Sequence, residues 1–202
     1  MGTVSEIFLS YRTDDSYHSA PLIWERMSTH FGERKIFLDT ASTRAGDDFE
    51  KKVWPALLGA KVMLVVIGPD WLSGGADLPR RRIDDPEDYV RREVRTALQT
   101  AGLNIVPIMI KNAKLKKLDL PEDIRALRDK MDLPFHHRYF KTDLAAIVSR
   151  VEEWVEPLHR RVGPAPAARS QIVIGRDFER TIIANGPVGT DVNRGERDGD
   201  DD

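Results

Sequence analysis

The chain has 202 residues, 41% hydrophobic and 32% charged, which suffices to bury one sizeable core and marks a mixed globular domain. A net charge of −2 and a pI near 6.2 supply no global basic field for nucleic acid or an anionic membrane surface. The sequence has no cysteine, so disulfides, thiolate metal sites and cysteine nucleophiles are excluded.

The opening MGTVSEIFLSYRTDD lacks a basic segment followed by a long apolar stretch, and no later run approaches a membrane span, so a cytoplasmic location is expected. EIFLSY, KIFLD, KVMLVVIG and NIVPIMI read as strands. KVMLVVIG is too continuously apolar for a half-exposed strand and belongs near the centre of a sheet. Between the strands, IWERMSTHF, DDFEKKVWPALLGA, PEDYVRREVRTALQTA and PEDIRALRDK read as helices. Pro21 fits a first turn and not an interior, which places the start of the first helix near Ser19. The clearest amphipathic segment is TDLAAIVSRVEEWVEPLHRR, with Leu144, Ile147, Val148, Val151, Trp154 and Val155 at helical spacing.

Alternating strands and helices predict a doubly wound α/β domain over residues 1–162. Residues 163–170 read as a semi-rigid linker. Residues 171–202 read as a hairpin-like pair of short strands, QIVIG and RTIIA, followed by a disordered acidic tail. Two strands are marginal alone, so docking on the main domain or pairing with another copy is expected of them.

Ligands of such sheets bind outside the carboxyl ends of the strands. The first strand delivers Ser10, Tyr11 and Arg12 there; the second delivers Asp39 and the loop carrying Arg44 and Gly46; the third delivers Gly68, Pro69, Asp70 and Trp71. No GxxxxGK[ST] is present, and IGPDWLSGG is not GxGxxG, which argues against a P-loop nucleotidase and a dinucleotide dehydrogenase. Tyr11-Arg12 and Gly68-Pro69 stand where a response-regulator receiver needs its acidic pair and phosphorylated aspartate. Ser10 lacks the GxSxG elbow, and His136 and His137 point to opposite faces if they lie on a strand, so neither a serine hydrolase nor a metal site is supported.

Glu93 is the unusual acidic residue. Neither Val90 and Thr96 nor Tyr89 and Ala97, its helical neighbours at spacings three and four, carries a charge. Asp85 as N-cap and Pro86 at the first helical position predict where its helix starts. In that register Val90, Val94, Ala97, Leu98 and Ala101 form the buried stripe, Arg92, Arg95 and Gln99 face water, and Glu93 lies about 80° from the stripe's centre, at the border of the core. Such a carboxylate serves either an adjoining cleft or simply a loop hydrogen bond.

FLSYR, FLDTASTRAGDDF, ALLGAKVMLVVIGPDWL, YVRREVRTAL and NIVPIMI, in this order across about residues 4 to 155, resemble a TIR (Toll/interleukin-1 receptor) domain of bacterial type. The resemblance implies a flavodoxin-like sheet of about five parallel strands. It further implies an enzyme that cleaves NAD between nicotinamide and ribose, with Glu93 as the essential carboxylate, Tyr11 and Arg12 lining the pocket, and the loop from Thr40 to Asp48 bordering it and joining neighbouring copies. Some active relatives carry an acidic residue two before the loop glycine, where this chain has Arg44. Many TIR domains are instead non-catalytic interaction modules, and that reading stands beside the enzyme. In bacterial relatives the products, or the loss of NAD itself, act in defence or signalling.

The chemistry is coherent without the family. Nicotinamide leaves NAD as a neutral base and needs no general acid, so one carboxylate facing the developing ribosyl cation can suffice. At about 4 Å and an effective dielectric near 20 that attraction is on the order of 4 kcal/mol, roughly a thousandfold in rate. Glu93 can equally hold the ribose hydroxyls. Arg12 and Arg44 offer charge to the pyrophosphate, and Trp71, Tyr11 or Tyr89 offer a ring on which a base can stack. The plainer alternatives are solvated loop-edge arginines and a Trp71 packed under the following loop. Asp39 and Gly46 complete the expected substrate side, Gly46 chiefly through loop geometry. Neither metal nor cofactor is expected, and NAD enters as substrate.

Overall fold

The structure, a computed structural model, describes residues 5–38, 47–73 and 80–158. The strands β1 (Ile7–Ser10), β2 (Ile36–Leu38), β3 (Val62–Ile67), β4 (Asn104–Ile110) and β5 (Leu133–Phe135) form one sheet in the order β2-β1-β3-β4-β5, every neighbouring pair parallel. All six residues of β3 are buried and the strand is central, as its unbroken apolar run predicts.

Strand alternation divides the core into two layers. Ile7, Leu9, Val62, Leu64, Val66, Val106 and Ile108 face α2 (Ser19–Phe31) and α5 (Phe140–Val151). Phe8, Met63, Val65, Ile67, Ile105 and Met109 face α3 (Asp47–Gly59) and α4 (Tyr89–Gln99). A single turn, α1 (Thr13–Ser16), links β1 to α2. The latter begins at Ser19 and carries Pro21 in its first turn, as expected.

Three segments differ from the sequence reading. PEDIRALRDK is a 3-10 helix over Glu122–Asp129 rather than an α-helix: its buried apolar residues, Ile124 and Leu127, stand three apart, and three residues per turn stacks them on one side. The last helix starts at Phe140 and ends at Val151, and the turn that follows buries Val155 beneath it. The fifth strand is the short segment LPF, too brief to show a period. The expected linker at 163–170 and the expected strand pair and tail at 171–202 lie outside the described residues.

Candidate active site

Ser10 and Arg12 leave β1 two residues apart and so continue toward the α3/α4 layer, the side that Phe8 faces. Ser10 Oγ donates to Glu93 Oε2 at 2.6 Å, and both residues are fully buried. Glu93 therefore lies inside the core and not at its border. The stripe of Val90, Val94 and Ala97 draws α4 onto the sheet, and the Ser10 hydroxyl satisfies a carboxylate oxygen that would otherwise be drawn to water.

The helix also starts later than its sequence suggests. Asp88 is the N-cap, its side chain accepting from Arg91 N at 3.0 Å, whereas Asp85 holds a turn by accepting from Glu87 N at 2.9 Å. Because the helix ends at Gln99, Ala101 is exposed and drops out of the expected stripe, and Leu98 is only half-buried. Arg92, expected in water, is half-buried between two rings, 4.9 Å from the Trp54 centroid and 5.5 Å from that of Tyr89.

Arg12 is withdrawn from water and committed to protein partners. Its Nε donates to the Trp71 carbonyl at 2.6 Å, and Nη1 and Nη2 donate to the two Asp88 oxygens at 2.9 and 2.6 Å. Its planar fork, expected to face a phosphate, is filled here by a carboxylate of its own chain. Trp71 is fully buried in the α3/α4 layer, the plainer of its two expected roles, and its indole N–H is buried without a hydrogen-bond partner among the described residues. Tyr11 alternates away from Ser10 and packs on the α2/α5 layer, so the structure does not bring it to Glu93. Tyr89 opens α4, half-buried, one helical turn before Glu93. Asp39, Arg44 and Gly46 lie outside the described residues.

A fourth buried charge, Asp15, completes this end of the sheet. Asp15 accepts from Gly68 N at 2.6 Å, Asp70 N at 3.0 Å and Ser16 Oγ at 3.0 Å. Burial pushes its carboxyl above the ordinary aspartate range, against the pull of the Asp70 and Gly68 amides. A Cβ at position 68 would stand 2.7 Å from Oδ2 and 2.8 Å from Cγ of Asp15, so only glycine permits the contact. After β4, Lys111 and Asn112 adopt positive φ values of 49° and 61°, and Lys111 Nζ donates to the Asp15 carbonyl at 2.9 Å. Sequence reasoning missed Asp15 and Asp88 and weighed Ser10 only as a nucleophile. The available signals were the strand alternation that groups Ser10 with Arg12 and the second capping aspartate in DDPED.

The arrangement is an oriented carboxylate at the carboxyl ends of β1 and β3, beside the switch in strand order where such sheets bind ligands. Among the described residues no group of His, Asp and Glu is placed to hold a metal ion. A cleft of about 750 Å³ lies between α2 and α5, lined by Arg26, His30, Val148, Glu152, Trp154 and Pro157. Glu93 does not line it, and the two belong to opposite faces of the sheet.

A family model of the TIR domain matches residues 7–148. The chain belongs to the TIR domain family. Its fold is similar to the TIR domains in a structure of the activated Roq1 resistosome directly recognizing the pathogen effector XopQ, with a TM-score of 0.50 and 12% sequence identity, covering 73% of this chain and 99% of the other. At that identity the likeness speaks for the fold alone. It agrees with the five-stranded parallel sheet of this TIR domain and with the helices on both its faces.

Proposed function

We propose that this TIR domain, of bacterial type, is an NAD nucleosidase acting on cytoplasmic NAD in defence or signalling. It breaks the bond between nicotinamide and ribose and gives nicotinamide with ADP-ribose or a cyclic isomer. The observation that carries this reading is the Glu93 carboxylate, removed from water and held by Ser10 at 2.6 Å at the ligand-binding end of the sheet. As the glycosidic bond lengthens, its electron pair goes to the pyridinium nitrogen and nicotinamide departs neutral. The positive charge left on the ribose faces Glu93, which stabilises it most in the transition state. Water then adds to the anomeric carbon and loses a proton, or a nucleophile of the same molecule closes the ring.

Glu93 exposes no surface in this conformation, so turnover requires a second one, in which its cover opens and the ribose meets the carboxylate where Ser10 holds it. In this reading self-association through TIR–TIR contacts supplies it. The test is nicotinamide release from NAD by the purified chain, dilute and concentrated, beside Glu93→Gln. Turnover that rises with concentration and falls roughly a thousandfold in Glu93→Gln supports the proposal. Equal turnover in the two proteins removes Glu93 from the mechanism.

The same burial favours a second reading, in which Glu93 and Ser10 merely close the core of a non-catalytic TIR–TIR interaction module. No nicotinamide release in any assembled state, with self-association intact, would establish that reading instead.

A further inference from the structure

Arg12 and Asp88 have side chains only 3% and 2% exposed, and neither takes part in the chemistry proposed above. A buried ion pair is poor evidence for stability, because taking both charges out of water offsets their attraction; its attested use is to select one arrangement over another. Here the arrangement at stake is where the Glu93 helix begins. Asp88 Oδ1 accepts from both Arg12 Nη2 and Arg91 N, so the ion pair and the helix cap share one atom.

The chain offers a competing start three residues earlier, Asp85 followed by Pro86, with the stronger local signal. A helix begun there would take Asp88 out of its present extended backbone (φ −59°, ψ 127°) into helical geometry and turn its carboxylate off Arg12. The spacing fits a two-point attachment. Ser10 and Arg12 are separated by about 6.6 Å along an extended chain, and Asp88 and Glu93 by about 7.5 Å along a helix. One exit segment thus grips the helix at its cap and at its working carboxylate.

We infer that Arg12 and Asp88 are positioning residues, which lock where α4 begins and thereby hold Glu93 against Ser10 in one orientation. Their catalytic consequence rests on the NAD-cleaving reading; the attachment itself does not.

The experiment uses the full chain with Arg12→Lys, which keeps the charge and loses the fork, and Asp88→Asn, which keeps a capping acceptor and loses the carboxylate. Ile147→Val, buried on the opposite face, is the control for loss of stability. Crystal structures and nicotinamide-release kinetics are read together. In both variants the Ser10–Glu93 hydrogen bond is expected to break and kcat to fall roughly a hundredfold with KM within about twofold, while Ile147→Val keeps the bond and the rate. A Ser10–Glu93 hydrogen bond intact in both variants overturns the lock whatever the turnover. A broken hydrogen bond with kcat unchanged, or a rise confined to KM, overturns the positioning role. If the wild-type chain releases no nicotinamide, or Glu93→Gln equals it, the NAD-cleaving reading fails, and the Ser10–Glu93 separation in the variants still decides the lock.

Discussion

The two ends of the sheet treat charge in opposite ways. At the carboxyl end Arg12, Asp15, Asp88 and Glu93 are buried together with Ser10, Ser16 and Ser19, and these seven are the buried polar side chains of the described residues. At the amino end Glu6 lies between Lys35 and Lys61, His30 meets Glu152 at 2.6 Å and Arg150 meets Glu153, all partly in water. Exposed pairs contribute little and are commonplace; buried charges survive only when well partnered, and they gather where a protein needs defined electrostatics. The cleft between α2 and α5 lies at the amino end, beside the ordinary charges. Among the described residues the cleft between α2 and α5 and the buried charges are at different ends, and chemistry is the better guide to the site.

The most forceful way to break that contrast is to remove one arginine from each end. Arg12→Met leaves Asp88 buried without its fork and is expected to cost about 3–5 kcal/mol in urea unfolding. Arg150→Met, which loses an exposed pair with Glu153, is expected to cost about 1 kcal/mol or less. Equal losses would mean that the buried pair is no different in kind. Gly68→Ala comes next: its Cβ would press on the Asp15 carboxylate, and crowding of that sort costs about 1–3 kcal/mol. The same substitution paired with Asp15→Ala should recover part of the loss, because the clash goes with the carboxylate.

These long-range pairs explain what the sequence could and could not reveal. β3 at the centre, α2 beginning at Ser19 and the alternation of strands and helices follow from local periodicity and turn chemistry, which one chain displays on its own. Glu93 stood out because its helical neighbours carry no charge, yet its partner Ser10 is 83 residues away. Asp88 lies 76 residues from Arg12, and nothing local tells an arginine bound for a phosphate from one bound for a distant aspartate. The misplaced helix start has the same origin. Asp85-Pro86 is the better local cap, and a tertiary contact overrules it. β5 carries no local strand signal because it is three residues long with Pro134 in the middle, tolerable only at a sheet edge.

The smallest effect sharpens the contrast by its sign. Burial raises the Glu6 carboxyl, but hydrogen bonds and charge from Lys61 and Lys35 outweigh it and leave it below its ordinary value. Its ionised form is therefore favoured by folding, and the stability it contributes is present above the ordinary carboxylate range and disappears as the pH falls through its folded value. Glu6→Gln should cost about 1 kcal/mol or less at pH 7, and the difference from wild type should vanish on acidification. Asp15 is shifted upward, so folding disfavours its ionised form; that penalty is complete above its folded value and is relieved as the pH falls through it. Asp15→Asn turns an amide NH2 toward a buried backbone donor and loses stability at any pH, but its deficit relative to wild type should widen on acidification. Urea titrations of the three proteins from pH 7 into the carboxylate range read both slopes. Two slopes of the same sign would show that the carboxyl end holds its charges no differently from the amino end.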